Sequence, residues 1–169
     1  INVGAATEVE MKDKKERVND AVAATKAALE GGIVPGGGVA LLRARKTLLK
    51  FKDSLASPDE KVGVSILYDA LAQPIRWIAK NAGADEGWVM RQVEDSKVND
   101  YGFNVMSMSF GSMIADGIVD PAKVTRSAVQ NAASIGMMVL TTEALITDIK
   151  EPEKPMGGMP PGGMGGMDY

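Results

Sequence analysis

The chain has no cysteine and no histidine among its 169 residues. That excludes thiol nucleophiles, disulfides, imidazole acid–base chemistry and zinc sites of the usual ligand set from this sequence. A cysteine-free chain also fits a reducing compartment. Aromatic residues make up only 5%, against 45% hydrophobic residues overall, so apolar surface comes mainly from alanine, methionine and branched aliphatics. That balance suits packed helices better than a β-sandwich. No apolar run approaches the roughly 18 residues needed to cross a bilayer as a helix, and no membrane partner is expected. The formal net charge is −3, and no Lys/Arg cluster is interleaved with aromatics, so no nucleic acid partner is expected either. Nor does a G-x-x-x-x-G-K-[ST] phosphate loop occur. The sequence starts at Ile1 with neither an initiator methionine nor a signal peptide, and reads as a fragment of a longer chain.

A mainly α-helical chain with a small β element is expected. Ile1 to Ala6 reads as a loop or the end of a strand. Thr7-Glu8-Val9-Glu10 has the form of a capping box, and Val18, Ala21, Val22, Thr25, Ala28 and Leu29 recur at helical spacing, predicting a helix over 8–30. A second helix starts near Gly37 and carries Leu41, Leu42, Leu48 and Leu49. Ser57-Pro58-Asp59-Glu60 is a second capping box, opening a helix that Pro74 should break or kink. A short helix through Trp77 follows, then another from Asp85 to about Glu94. Turn residues around Phe103, Val105, Met106, Met108 and Phe110 predict a hairpin within 99–111. Asp120-Pro121 reads as an N-cap and first-turn proline of a helix to about Ala144, and Leu145–Ile149 as a terminal strand. Beyond Glu151 come four prolines and three Gly-Gly-Met repeats, a composition that cannot bury enough surface to order itself.

The segment Gly31-Gly32-Ile33-Val34-Pro35-Gly36-Gly37-Gly38 admits two readings. Three glycines before a helix leave bare backbone and unpaired N–H groups, which suits close approach by phosphate or ribose oxygens. A helix C-cap followed by a turn explains the same residues without a ligand. Asp20 lies about 200° round the helix from Val18, away from the apolar stripe; by itself it reads as a solvated carboxylate.

The strings Glu8-Val9-Glu10-Met11-Lys12-Asp13-Lys14-Lys15-Glu16-Arg17-Val18, Gly36-Gly37-Gly38-Val39-Ala40-Leu41 and Gly117-Ile118-Val119-Asp120-Pro121-Ala122-Lys123-Val124-Thr125-Arg126, with the Gly-Gly-Met tail, closely resemble the bacterial group I chaperonin of the GroEL type. The resemblance runs in order from end to end. It implies the C-terminal third of a subunit: residues 1–30 from the intermediate domain, 31–150 from the equatorial ATPase domain, and 151–169 as a mobile tail touching clients.

By resemblance, Asp20 orients the water that attacks ATP, Gly36 and Gly37 pack on the nucleotide sugar, Ile118 lies against adenine, and Asp120 accepts from the ribose hydroxyls while also capping its helix. Asn104, Val105 and Met106 match a base-contacting hairpin, although the family usually has two alanines where Val105 and Met106 stand. Asn19 replaces a frequently acidic residue. Glu8 resembles an intersubunit salt-bridge residue, or equally balances its helix dipole.

The implied cofactors are ATP and Mg²⁺, with the phosphate loop and metal ligands outside this sequence. Implied partners are identical subunits in seven-membered stacked rings, a co-chaperonin and non-native client proteins, in the bacterial cytoplasm rather than an organelle matrix. Rival readings are a helical assembly module that has lost ATP turnover, and an unrelated glycine-loop nucleotide enzyme. The latter needs a phosphate-binding lysine motif that is not here.

Overall fold

The computed structural model describes residues 1–149; the expectations for the tail at 151–169 lie outside them. Helix α1 (Glu8–Gly31) is followed by strand β1 (Ile33–Pro35) and helices α2 (Val39–Ser54), α3 (Pro58–Ala70), α4 (Gln73–Asn81) and α5 (Glu86–Asp95). Strands β2 (Tyr101–Asn104), β3 (Ser109–Ser112) and β4 (Val119–Pro121) precede helix α6 (Ala122–Thr141). The fold is thus mainly helical with two small antiparallel strand pairs, β1 with β4 and β2 with β3.

Local chemistry explains most element ends. The Thr7 hydroxyl accepts from the Glu10 amide and starts α1. Gly32, at φ 77°, ends it, its N–H donating to the Ala28 carbonyl. Asp85 caps α5 by accepting from the Trp88 amide at 2.5 Å. Pro74 stands in the first turn of α4, where its missing N–H is not needed, so the chain breaks into α3 and α4 as expected.

The core is formed by Val39 and Leu42 of α2, Ile75 and Ala79 of α4, Val89 and Val93 of α5, and Ala72, Phe103 and Met113. It joins the three central helices to the β2–β3 hairpin. By contrast α1, α3 and α6 contain no fully buried residue.

Three expectations are corrected. Ser57 occupies the N-cap of α3, but its side chain makes no capping bond. Asp120 is not the N-cap of the last helix: it pairs with Val34 in β4, and Pro121 holds the cap position in extended conformation. The β1–β4 pairing keeps the chain extended through Pro121, and the Ala122 amide donates to the Gly32 carbonyl at 3.0 Å, so the helix begins at Ala122. Finally, 145–149 forms no strand, and Leu145, Ile146 and Ile149 are exposed. A strand needs a hydrogen-bonding neighbour, and none of the described strands lies beside this segment.

Candidate functional site

The glycine turn between β1 and α2 is built for contact with the loop before β4. Gly36 is buried, its N–H donates to the Ile118 carbonyl at 2.9 Å, and a Cβ there would meet the Ile118 carbonyl group at 3.1 Å. Gly37 and Gly38 have φ of 64° and 78°, a conformation that L side chains rarely adopt. At Gly38 a Cβ would also come within 2.7 Å of the Ile75 amide nitrogen. At Gly37 it would meet only the Met113 sulfur, at 3.6 Å, so this backbone is open to an approaching group. The β1–β4 register sets Val34 opposite Asp120 and Pro35 opposite Val119. One short ladder therefore brings Gly36, Gly37, half-buried Ile118 and the exposed Asp120 together.

The hairpin tip is tied to the same loop. The Asn104 side-chain oxygen accepts from the amides of Met106 at 3.0 Å and Ser107 at 3.4 Å. Its side-chain nitrogen donates to Asp116 Oδ2 at 3.0 Å. Asp116 in turn leads through Gly117 to Ile118, whose amide donates to the Met113 carbonyl at 2.8 Å. Val105 packs against the core, whereas Met106 stands 92% exposed at the tip. Hence Asn104 is gathered with Ile118 through Asp116, a residue that the sequence reading missed. Its signal was the Asp116-Gly117 dipeptide, a turn mark.

Asp20 is not brought to this cluster. The end of α1 abuts α6, a Cβ on Gly31 lying 3.0 Å from the Lys123 Cβ. Asp20 is eleven residues before Gly31, about 17 Å along the helix axis. Among the described residues its carboxylate makes no hydrogen bond or ion pair.

Two arginines of α2 hold the frame behind the hairpin. Arg43 donates to the carbonyls of Ser96 at 2.8 Å and Val98 at 2.7 Å, fixing the connection from α5 to β2. Arg45, buried, meets both Glu94 oxygens at 2.8 Å and places its guanidinium 4.3 Å from the centre of the Tyr68 ring. At the α1–α6 junction Glu30 pairs with Lys123. The hydrogen bond from Lys123, and then its charge, hold the Glu30 carboxyl below the usual carboxylate range.

The cluster offers an apolar side chain (Ile118), open glycine backbone and exposed carboxylates, a set that fits the base and sugar of a nucleoside. Among the described residues no group of three acidic or other ligating side chains comes together for a metal.

Residues 1–150 match the sequence profile of the TCP-1/cpn60 chaperonin family. The chain belongs to that family. A solved chaperonin, described as a group III chaperonin in the open state, superposes with a TM-score of 0.76 at 30% identity, over 85% of this chain. The match spans 30% of that chaperonin's own length. The chain also presents an apolar groove of about 620 Å³ between α3 and α6, lined by Ile66, Leu67, Leu71, Ala132, Met137 and Leu140 among others.

Proposed function

We propose that this chain is the C-terminal third of an ATP-driven chaperonin subunit of the bacterial group I, which assists the folding of non-native proteins. In this reading residues 1–30 belong to the intermediate domain, 31–150 to the equatorial domain and 151–169 to a client-facing tail. The subunit works in the bacterial cytoplasm, in stacked seven-membered rings closed by a co-chaperonin. The observation that carries the nucleotide reading is the meeting of Gly36, Ile118 and Asp120 on the β1–β4 ladder, beside the Asn104 tip. The group I assignment rests on the charged string at 8–18 and the Gly-Gly-Met repeats.

Ile118 takes the face of the base, Gly37 lets the sugar approach bare backbone, and the Asp120 carboxylate accepts from its hydroxyls. Val105 and Met106 contribute through their main chain at the hairpin tip. Bound Mg-ATP supplies the phosphoryl group that is transferred to water, held by ligands outside this chain. Asp20 orients that water, which takes a carboxylate placed in line rather than a strong base. It stands on an exposed helix capped by Gly32 at φ 77°, and this reading requires a rotation at Gly31-Gly32 to carry it toward the nucleotide.

The test is Asp20→Ala in the full-length subunit. Nucleotide affinity should stay near the parental value while hydrolysis slows by about a hundredfold or more. Hydrolysis at the parental rate would remove Asp20 from the mechanism, and a full-length subunit that binds no nucleotide would sink the reading as a whole.

A further inference from the structure

We propose that Asp116 determines which base the site accepts, by taking a hydrogen bond from the exocyclic amino group of a 6-aminopurine. This rests on the nucleotide reading of the site and adds a residue to it. The starting point is the Asn104 side chain. Its oxygen already accepts from two backbone amides, those of Met106 and Ser107. That fixes the orientation of the amide and turns its nitrogen toward Asp116. An amide oxygen has two lone pairs, and both are used. Asn104 can therefore present an N–H to a base but has no acceptor left for an amino group.

The acceptor at this place is the Asp116 carboxylate. It receives one hydrogen bond from Asn104, leaving several of its roughly four lone-pair directions open, and no Lys or Arg pairs with it among the described residues. Its backbone is held firmly: the Asp116 amide donates to the Ser112 carbonyl at 3.0 Å, and Gly117 follows at φ 72°. Ile118, which would face the base, is two residues on. The Asn104 N–H beside the Asp116 carboxylate forms a donor–acceptor pair. A 6-aminopurine matches it, with N1 accepting from Asn104 and the amino group donating to Asp116. A 6-oxopurine presents a lone pair to the carboxylate instead, and like-signed oxygens facing each other repel.

The experiment compares binding of ATP and ITP, which differ at position 6, to the full-length subunit by calorimetry, for the parent and Asp116→Asn. The parent should favour ATP by about fivefold to tenfold, the size of one net hydrogen bond at a solvent-accessible site. With Asp116→Asn the side chain can turn either its oxygen or its NH₂ to the base, so the ratio should fall toward one, mainly because ITP binds better. Asp116→Ser, smaller and neutral, should lower the ratio in the same way if the asparagine disturbs the hairpin. An unchanged ratio in both variants would overturn the assignment, as would equal weakening of both nucleotides, the mark of a purely structural residue. A parent that binds neither nucleotide would fail the underlying nucleotide reading, an outcome distinct from these.

Discussion

Glu30 at the end of α1 and Lys123 in the first turn of α6 form an ion pair across 93 residues of sequence. It lies where Gly31 packs on Lys123 and where the Ala122 amide meets the Gly32 carbonyl. A charged latch thus bridges the two helices beside Gly32, the positive-φ glycine that ends the first.

That latch titrates. Lys123 lowers the Glu30 pKa in the folded chain, so the pair contributes at neutral pH, above the unfolded value. The contribution is lost as pH falls through the lower, folded value. Carboxyl-carbon NMR should place the Glu30 midpoint below the ordinary glutamate range, and Lys123→Gln should return it upward. High salt should do the same, because both groups are exposed. A midpoint unaffected by Lys123→Gln would mean that the pair does not form in solution.

The glycines of the turn should separate by substitution. Gly38→Ala faces both a positive φ and a Cβ 2.7 Å from the Ile75 backbone, and should cost more than about 2 kcal/mol in urea unfolding. Gly37→Ala meets only the flexible Met113 sulfur, so about 1 kcal/mol is expected from the left-handed backbone alone. Gly37→Val in the full-length subunit should then weaken nucleotide binding well beyond its effect on stability. Unchanged affinity would leave Gly37 as a turn residue only.

Arg45 is 6% exposed and depends on Glu94 for its charge partner. Glu94→Gln should destabilise the chain by about 3 kcal/mol, since it strands a buried guanidinium. Arg45→Met combined with Glu94→Gln should recover most of that loss, because no charge is then left unpaired. Equilibrium urea unfolding of the two variants checks the difference. A double variant no more stable than the single one would place the energy in the Arg45 contact with Tyr68.

The groove between α3 and α6 is wide and apolar, and Met137 and Leu140 on its rim are 66% and 80% exposed. The chain expressed by itself should associate as its concentration rises. Light scattering should show this, and Leu140→Lys with Ile66→Lys should suppress it. Scattering of a monomer in the parent at high concentration would contradict the exposure of this face.

Sequence alone determined the helices and the hairpin, because their signals are local. Thr7 and Asp85 cap their own helices, Pro74 divides α3 from α4, and apolar residues recur at helical spacing through α1 and α2. The glycine run was legible as a turn for the same reason. The chaperonin family was legible too, from the charged string at 8–18 and the glycine run at 36–38. What the tertiary structure decided was everything depending on partners far along the chain. Ile33-Val34-Pro35 is too short to announce a strand, and its partner lies 86 residues on, so Asp120 looked like a cap until β1 held it extended. Leu145–Ile149 has a strand's composition but finds no edge to pair with among the described residues. Asn104 carried no hint that its side chain would be spent on Met106, Ser107 and Asp116. Hydrogen-bond satisfaction is settled by which groups meet in space, and residue type fixes only what each group can donate or accept.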